Sequence, residues 1–153
     1  MEDKFDLEFL EKYQIKSIME TNAYTGKFGL NLSEEDVCIL VKERKSTLRE
    51  QQRVEFGEGI LKKLIFAFCD SDFIYQENYT ETMIRLQEIF YLYKNESMDE
   101  LTDDELISYM REVFDGKCQG SLEYLEDTCL EAFARSIRKQ THKFMGRYER
   151  NEE

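Results

Sequence analysis

The sequence predicts an all-α protein, folded as a single compact bundle of about six helices. The chain has no proline among its 153 residues, and six of its seven glycines form three close pairs, Gly26/Gly29, Gly57/Gly59 and Gly116/Gly120. Because proline and glycine interrupt helices, the long stretches between these pairs favour helical structure. The length suits one domain, and nine tyrosines and eleven phenylalanines argue against a disordered chain.

The first two helices follow from hydrophobic periodicity and from one N-cap. The first spans about residues 3 to 21, and we expect its inner positions to be Leu7, Leu10, Tyr13 and Ile18. After a connector over residues 22–32, the second helix begins at Ser33, whose hydroxyl can accept from the free amides of the first turn. The acidic residues 34–36 suit the positive end of that helix dipole.

Apolar runs and capping residues predict the next three helices. Residues 60–69 are apolar on nearly every side, which is typical of a central helix covered on several faces. The fourth helix is predicted to begin at Asn78 and the fifth at Thr102, since a glutamate three residues later completes a capping box in each case. The fifth helix ends at Gly116, in the usual position of a left-handed C-cap.

The sixth helix begins at Ser121 and carries the most regular apolar stripe of the chain. The members of this stripe recur at helical spacing and are Leu122, Leu125, Cys129, Ala132, Phe133, Ser136 and Ile137. No internal repeat or interdomain linker interrupts the pattern. We therefore expect one helical domain over residues 1–140, followed by a polar, basic and frayed tail over residues 141–153.

Charge and hydropathy argue against several functional classes. The net charge of −12 opposes direct binding to nucleic acid, whose phosphates are also negative. The longest apolar run, residues 64–69, falls far short of the ~20 residues that span a bilayer, so we expect no membrane segment. The N-terminal residues do not read as a signal peptide, and the four cysteines lack metal-binding spacing, which together predict a cytoplasmic protein with free thiols.

The residue types that catalysis and cofactor binding require are scarce. His142 is the only histidine, and no Gly-x-Ser-x-Gly nucleophile motif or phosphate-binding loop occurs. We predict no cofactor and no catalytic residue. One enzymatic alternative stays open, in which paired carboxylates hold a divalent metal, with Glu123 and Glu126 or Glu96 and Asp99 as the candidate ligands.

Basic side chains are grouped on one face of the second helix and on one face of the last. The members of the two groups are Lys42, Lys45, Arg49 and Arg53, and Arg135, Arg138 and Lys139. In the segment 96–105, by contrast, six of ten residues are acidic and none is basic. These charges are either ordinary solvated surface with ion pairs inside helices, or a docking surface that complementary charge steers.

Aromatic residues near the connectors are candidates for exposure. Most aromatic residues between 66 and 93 fall at helical spacing beside apolar neighbours and are expected in the core. Four aromatic residues near connectors are expected at the surface instead, namely Tyr24, Phe28, Tyr75 and Tyr79. The connector 22–32 is therefore either a recognition loop or a simple link.

Four segments of the chain resemble an uncharacterised family of small acidic bacterial proteins. These segments are residues 29–36 (GLNLSEED), 53–60 (RVEFGEGI), 91–97 (YLYKNES) and 114–125 (FDGKCQGSLEYL). The resemblance covers residues 15–140 and implies a bacterial, cytosolic source. It carries over no activity, ligand or catalytic residue.

The missing catalytic residue types and the segregated charge favour a non-enzymatic helical interaction module. Its partner is expected to be a protein, either another protein or a second copy of the chain. Two alternatives stay open beside this hypothesis. One is a small-molecule or nucleotide enzyme with a carboxylate-bound metal, and the other is an acidic inhibitor that mimics nucleic acid.

Overall fold

The computed structural model describes residues 2–55, 59–98 and 100–140, and within these ranges it contains six main helices and no strand. This confirms the predicted all-α bundle. The helices are α1 (Glu2–Met19), α2 (Glu34–Glu50), α3 (Leu61–Phe68), α4 (Tyr79–Glu96), α5 (Asp103–Asp115) and α6 (122–140). The predicted tail over residues 141–153 lies outside the described residues.

The helix α4 occupies the centre of the bundle, where it packs against α2, α3, α5 and α6. Its inward stripe recurs at a helical period and is completely buried; it consists of Tyr79, Met83, Leu86, Phe90 and Tyr93. The predicted central helix, α3, packs mainly against α4 and α5 and leaves Phe66 exposed. Because its apolar residues run most of the way round, one apolar side chain faces outward.

Two predicted helix starts are confirmed by reciprocal hydrogen bonds. At the start of α2, the Ser33 hydroxyl accepts from the amide of Asp36 at 3.0 Å, and the Asp36 carboxylate accepts from the amide of Ser33 at 3.1 Å. At the start of α5, Thr102 and Glu105 form the same pair of bonds at 3.1 and 3.0 Å. Each capping box satisfies amides that would otherwise lack partners.

The structure differs from the prediction in the cap at the start of α4 and in the cap at the end of α5. Asn78 does not cap α4, because its side chain accepts from the amide of Tyr75 at 2.9 Å and so closes the preceding turn. Gly116 follows α5 but has a φ of −86°, so it is not a left-handed cap. The left-handed residues lie further along the turn, at Gln119 and Gly120.

The helix α1 turns a different face inward from the predicted one. Ile18 is buried as expected, but Leu10 and Tyr13 are exposed, and the Leu7 side chain lies outside the described residues. Ile15 and Met19 pack against the core in their place. Since α2 is the main helix that α1 contacts, a narrow stripe of α1 suffices to cover that contact.

The last helix contains a π-helical turn over Leu125–Cys129, flanked by α-helix over Leu122–Tyr124 and 130–140. The wider π turn rotates the residues that follow it. Ala132 and Ser136 of the predicted stripe are therefore exposed, whereas Ala134 is buried. None of the helices in the described ranges has both the length and the apolar character that a membrane crossing requires.

Candidate functional site

The connector between α1 and α2 is a pinned turn, built from a short helical turn at Asn22–Thr25 and a 3₁₀ turn at Gly26–Phe28. The Asn22 side chain donates to the carbonyl of Leu32 and accepts from its amide, both at 2.8 Å. The Thr25 hydroxyl donates to the carbonyl of Leu30 at 2.9 Å. Leu30 and Leu32 are completely buried, so their side chains anchor this turn to the core.

A second pair of bonds ties the same turn to the segment before α4. The Gln76 amide group accepts from the backbone of Asn31 at 2.8 Å and donates to its carbonyl at 2.9 Å. Gly29 reverses the chain with a φ of 78°, a conformation that glycine adopts without steric cost. The backbone of residues 22–32 is therefore fixed from three sides.

This fixed turn presents two aromatic rings next to a third ring on α3. The Tyr24 ring meets the Phe28 ring at a centroid distance of 5.7 Å and the Phe66 ring at 5.5 Å, each edge to face. The three side chains are 44%, 43% and 44% exposed. We call Tyr24, Phe28 and Phe66 the aromatic patch.

Two lysines border the aromatic patch. The Lys27 ammonium lies 5.0 Å from the centroid of the Tyr24 ring, and Lys62 precedes Phe66 by one turn of α3. No carboxylate of the described residues lies within 4.0 Å of either ammonium. Lys27 therefore places a positive charge at the edge of the patch, and Lys62 lies on the side of α3 that carries Phe66, in a chain whose net charge is −12.

Among the aromatic residues predicted at the surface, Tyr24, Phe28 and Tyr75 are exposed, but Tyr79 is completely buried. Tyr79 is the first residue of the inward stripe of α4, so the prediction of its exposure is wrong. Burial raises the pKa of Tyr79 to about 12. Its hydroxyl is buried without a well-formed hydrogen bond among the described residues.

Phe66 is the member of the aromatic patch that sequence reasoning missed. It lies in the apolar run 64–69, in which the other aromatic residue, Phe68, is completely buried. Helical spacing separates the two residues by about 200° around α3, so only one of them can face the core of a helix that is covered on one side. This separation in the sequence indicates that one of the two rings faces outward, but it does not indicate which one.

The predicted basic group on α2 is divided by the structure. Lys45 pairs with Glu11 of α1, whereas Lys42 and Arg49 are exposed. Arg53 lies beyond the end of α2, because the left-handed Gln52 stops the helix. The Arg53 guanidinium donates to Asn95 at 2.5 Å, so it is directed at α4 and does not continue the predicted row.

The basic group on α6 and the acidic segment have partners within the chain. Arg135 pairs with Glu131 one turn earlier at 2.5 Å, and Arg138 and Lys139 are exposed. In the acidic segment, Asp103 pairs with Lys94 at 2.8 Å and Asp104 with Lys63 at 3.0 Å. Several of the charges proposed for docking thus form ion pairs inside one molecule.

A group of polar side chains lies buried between α2 and α4, apart from the aromatic patch. Arg44 is 4% exposed, and its Nε and Nη2 atoms have no hydrogen-bond acceptor among the described residues. A Cβ atom on Gly59 would lie 2.6 Å from that Nη2, so the guanidinium packs directly against the backbone there. Nearby, the Tyr91 hydroxyl donates to the Glu55 carboxylate, and burial together with that carboxylate raises the pKa of Tyr91.

The carboxylates of the enzymatic alternative do not form a cluster in the part of the chain described. Glu126 pairs with Arg85 of α4 at 2.5 Å, and Glu123, three residues earlier, is exposed. Glu96 is also exposed, while Asp99 and His142 lie outside the described residues. Within those residues, no three His, Cys, Asp or Glu side chains are grouped closely enough to hold a metal ion.

Comparisons with other proteins place the chain in a family. No curated protein and no solved structure matches it significantly. The model of DUF6323, described as a family of unknown function, matches residues 17–143. That range contains all four segments that carry the predicted resemblance, so membership of an uncharacterised family is confirmed. The chain therefore belongs to DUF6323, a family of unknown function.

Proposed function

We propose that this protein is a non-enzymatic interaction module that docks an acidic, apolar segment of another protein on its aromatic patch. One observation carries the proposal. Three half-exposed rings, those of Tyr24, Phe28 and Phe66, are held edge to face on a turn whose backbone is hydrogen-bonded on three sides.

Such a patch has the properties of a binding anchor. Aromatic side chains bring a large apolar area to an interface and have few rotatable bonds to immobilise. The bonds from Asn22 and Gln76 fix the turn before any partner arrives, so little backbone order remains to be gained on binding. Residues that dominate binding energy are typically aromatic and clustered, as these three are.

The lysines beside the patch support an acidic partner. Lys27 and Lys62 have no carboxylate partner among the described residues, so their charges are available to a docked segment. Acidic residues that flank an aliphatic or aromatic core in the partner would complement both features. Such rim charges mainly raise the association rate and make it sensitive to salt.

We also propose that the protein acts in the cytoplasm of a bacterial cell. All four cysteines are free thiols, which suits a reducing compartment. The resemblance to small bacterial proteins supports the source. The basic faces first considered for docking are secondary here, because Lys45 and Arg135 are already paired within the chain.

Capture of a partner from native lysate tests the proposal when wild type is compared with matched variants. Phe28→Asp and Phe66→Asp each place a carboxylate in the patch. The control, Tyr124→Asp, places a carboxylate outside the patch, at an aromatic residue of α6 that is 42% exposed. We expect the two patch variants to lose a partner that wild type and Tyr124→Asp retain, with helical circular dichroism unchanged. Equal capture by all four proteins would contradict the proposal.

A further inference from the structure

Two of the four cysteines are in direct contact. The Sγ atoms of Cys118 and Cys129 lie 3.5 Å apart, both side chains are buried, and no disulfide joins them. Cys38 and Cys69 have no sulfur partner. The close pair is therefore distinct from the other thiols in the chain.

The fold holds both members of the pair from the backbone. Cys118 lies in the turn between α5 and α6, where its amide donates to the carbonyl of Val113 at 3.0 Å. Cys129 is the last residue of the π-helical turn, whose first residue, Leu125, accepts from the Tyr93 hydroxyl at 2.7 Å. Because π turns recur at functional positions, this one merits a role beyond packing.

We infer that Cys118 and Cys129 are a redox-sensitive pair that hydrogen peroxide converts into an intramolecular disulfide. The peroxide first oxidises one thiol to a sulfenic acid, and the broken O–O bond releases one water molecule. The second thiol then attacks that sulfur, the S–S bond forms, and the sulfenic oxygen leaves as a second water molecule. Two electrons pass from the sulfurs to the peroxide, and the two thiol protons leave in the water.

The required movement is small. The sulfur atoms must approach from 3.5 Å to a bonded length of about 2.05 Å. The turn that carries Cys118 also has exposed residues on either side, Lys117 and Gln119, so a molecule as small as hydrogen peroxide needs only a local opening to reach the sulfur. The disulfide would link this turn to α6. It would close a short loop, because the two cysteines are 11 residues apart in sequence.

The environment of Cys118 makes its thiol slow to react at neutral pH. Burial and the adjacent Cys129 thiol raise the pKa of Cys118 well above its ordinary value. Since the thiolate is the reactive form, we expect oxidation through Cys118 to keep accelerating as the pH rises from 7 to 9. A freely exposed thiol, with its lower pKa, would level off within that range.

The test uses the full chain with Cys38→Ser and Cys69→Ala, so that only the close pair can react. Hydrogen peroxide should remove both thiols, lower the intact mass by two hydrogen atoms and join the Cys118 and Cys129 peptides that cleavage after Glu123 and Glu126 separates. The melting temperature should rise by about 5 °C and return to its starting value with dithiothreitol. Adding Cys129→Ser is the matched control, and it should abolish the joined peptide. Peptide mapping of oxidised wild type gives the same readout without these substitutions.

Three results would overturn the inference. One is a sulfinic acid on either residue without the joined peptide. Another is a disulfide between two copies of the chain. The third is a pair of thiols that stay free at a peroxide dose that oxidises the urea-unfolded chain.

Discussion

The ring of Tyr24 meets the ring of Phe66 edge to face, with centroids 5.5 Å apart, and this contact joins the turn after α1 to α3 at the surface. A tyrosine and a phenylalanine that are both half exposed would ordinarily be separate surface residues. Here they are held together by a turn whose C-terminal residues Leu30 and Leu32 are buried in the core. The structure thus stabilises an apolar surface that it does not cover.

The ring contact predicts a measurable coupling between Tyr24 and Phe66. Edge-to-face pairs contribute about 0.5–1.5 kcal/mol beyond the area they bury, so the double variant Tyr24→Ala/Phe66→Ala should lose less than the sum of the single losses by that amount. Urea unfolding of the four proteins measures this coupling. As a control, Tyr24→Ala and Tyr124→Ala should add within about 0.5 kcal/mol, and equal couplings in the two cycles would contradict the prediction.

Two substitutions of Tyr79 should differ strongly in their effect on the free energy of unfolding. Tyr79→Ala removes a completely buried ring at the start of the α4 stripe and should lower the free energy of unfolding by about 3–5 kcal/mol. Tyr79→Phe keeps the ring and removes a hydroxyl without a well-formed hydrogen bond, so it should change that energy by less than about 1 kcal/mol. A large loss from Tyr79→Phe would show that the hydroxyl is bonded in solution.

The buried tyrosines predict a loss of stability in alkali. Burial raises the pKa of Tyr79 to about 12 and also raises those of Tyr91 and Tyr93. Because a raised pKa favours the protonated folded state, this contribution is fully present below about pH 10, the ordinary tyrosine value, and is lost as the pH rises toward 12. Thermal melts from pH 8 to pH 12, followed together with tyrosinate absorbance, measure the decline. Ionisation of these tyrosines near pH 10 without unfolding would contradict their burial.

Replacing glycine with alanine should change the free energy of unfolding in different directions at Gly59 and Gly26. Gly59 has a φ of 59° and its absent Cβ would lie 2.6 Å from the Arg44 Nη2, so Gly59→Ala should cost about 1–3 kcal/mol. Gly26 has a φ of −57° and no atom within 4 Å of the Cβ position, so Gly26→Ala should be neutral or stabilise by about 0.4–1 kcal/mol. Chemical unfolding ranks the two variants. A Gly59→Ala protein as stable as wild type would mean that Arg44 can move away.

Local chemistry made much of the fold predictable. The capping boxes at Ser33 and Thr102 depend on residues three apart, so the sequence contains all of their partners. The start of α4 was harder to predict, because the Asn78 side chain bonds backward to a turn that only the folded chain forms. Periodicity placed Met83 and Phe90 in the core, and the same spacing extended by one turn would have placed Tyr79 there.

The candidate site was only partly predictable, because exposure depends on which neighbours cover a helix. Tyr24 and Phe28 were found from their place in a glycine-containing connector, and both are exposed. Phe66 was missed, because an apolar run does not reveal which of its sides stays uncovered. Arg44 is the reverse case, a charged residue that lies one turn beyond Leu40 on the buried face of α2.

Site-specific photo-crosslinking tests the docking function most directly. A benzoylphenylalanine at position 28 replaces a patch residue, and one at position 124 replaces an aromatic residue of similar exposure on α6. We expect the Phe28→benzoylphenylalanine protein to crosslink, in native lysate and at low salt, to an acidic and apolar segment of another protein that the position 124 probe does not capture. No product from position 28, the same products from both positions, or products formed only between copies of this chain would contradict the proposed function.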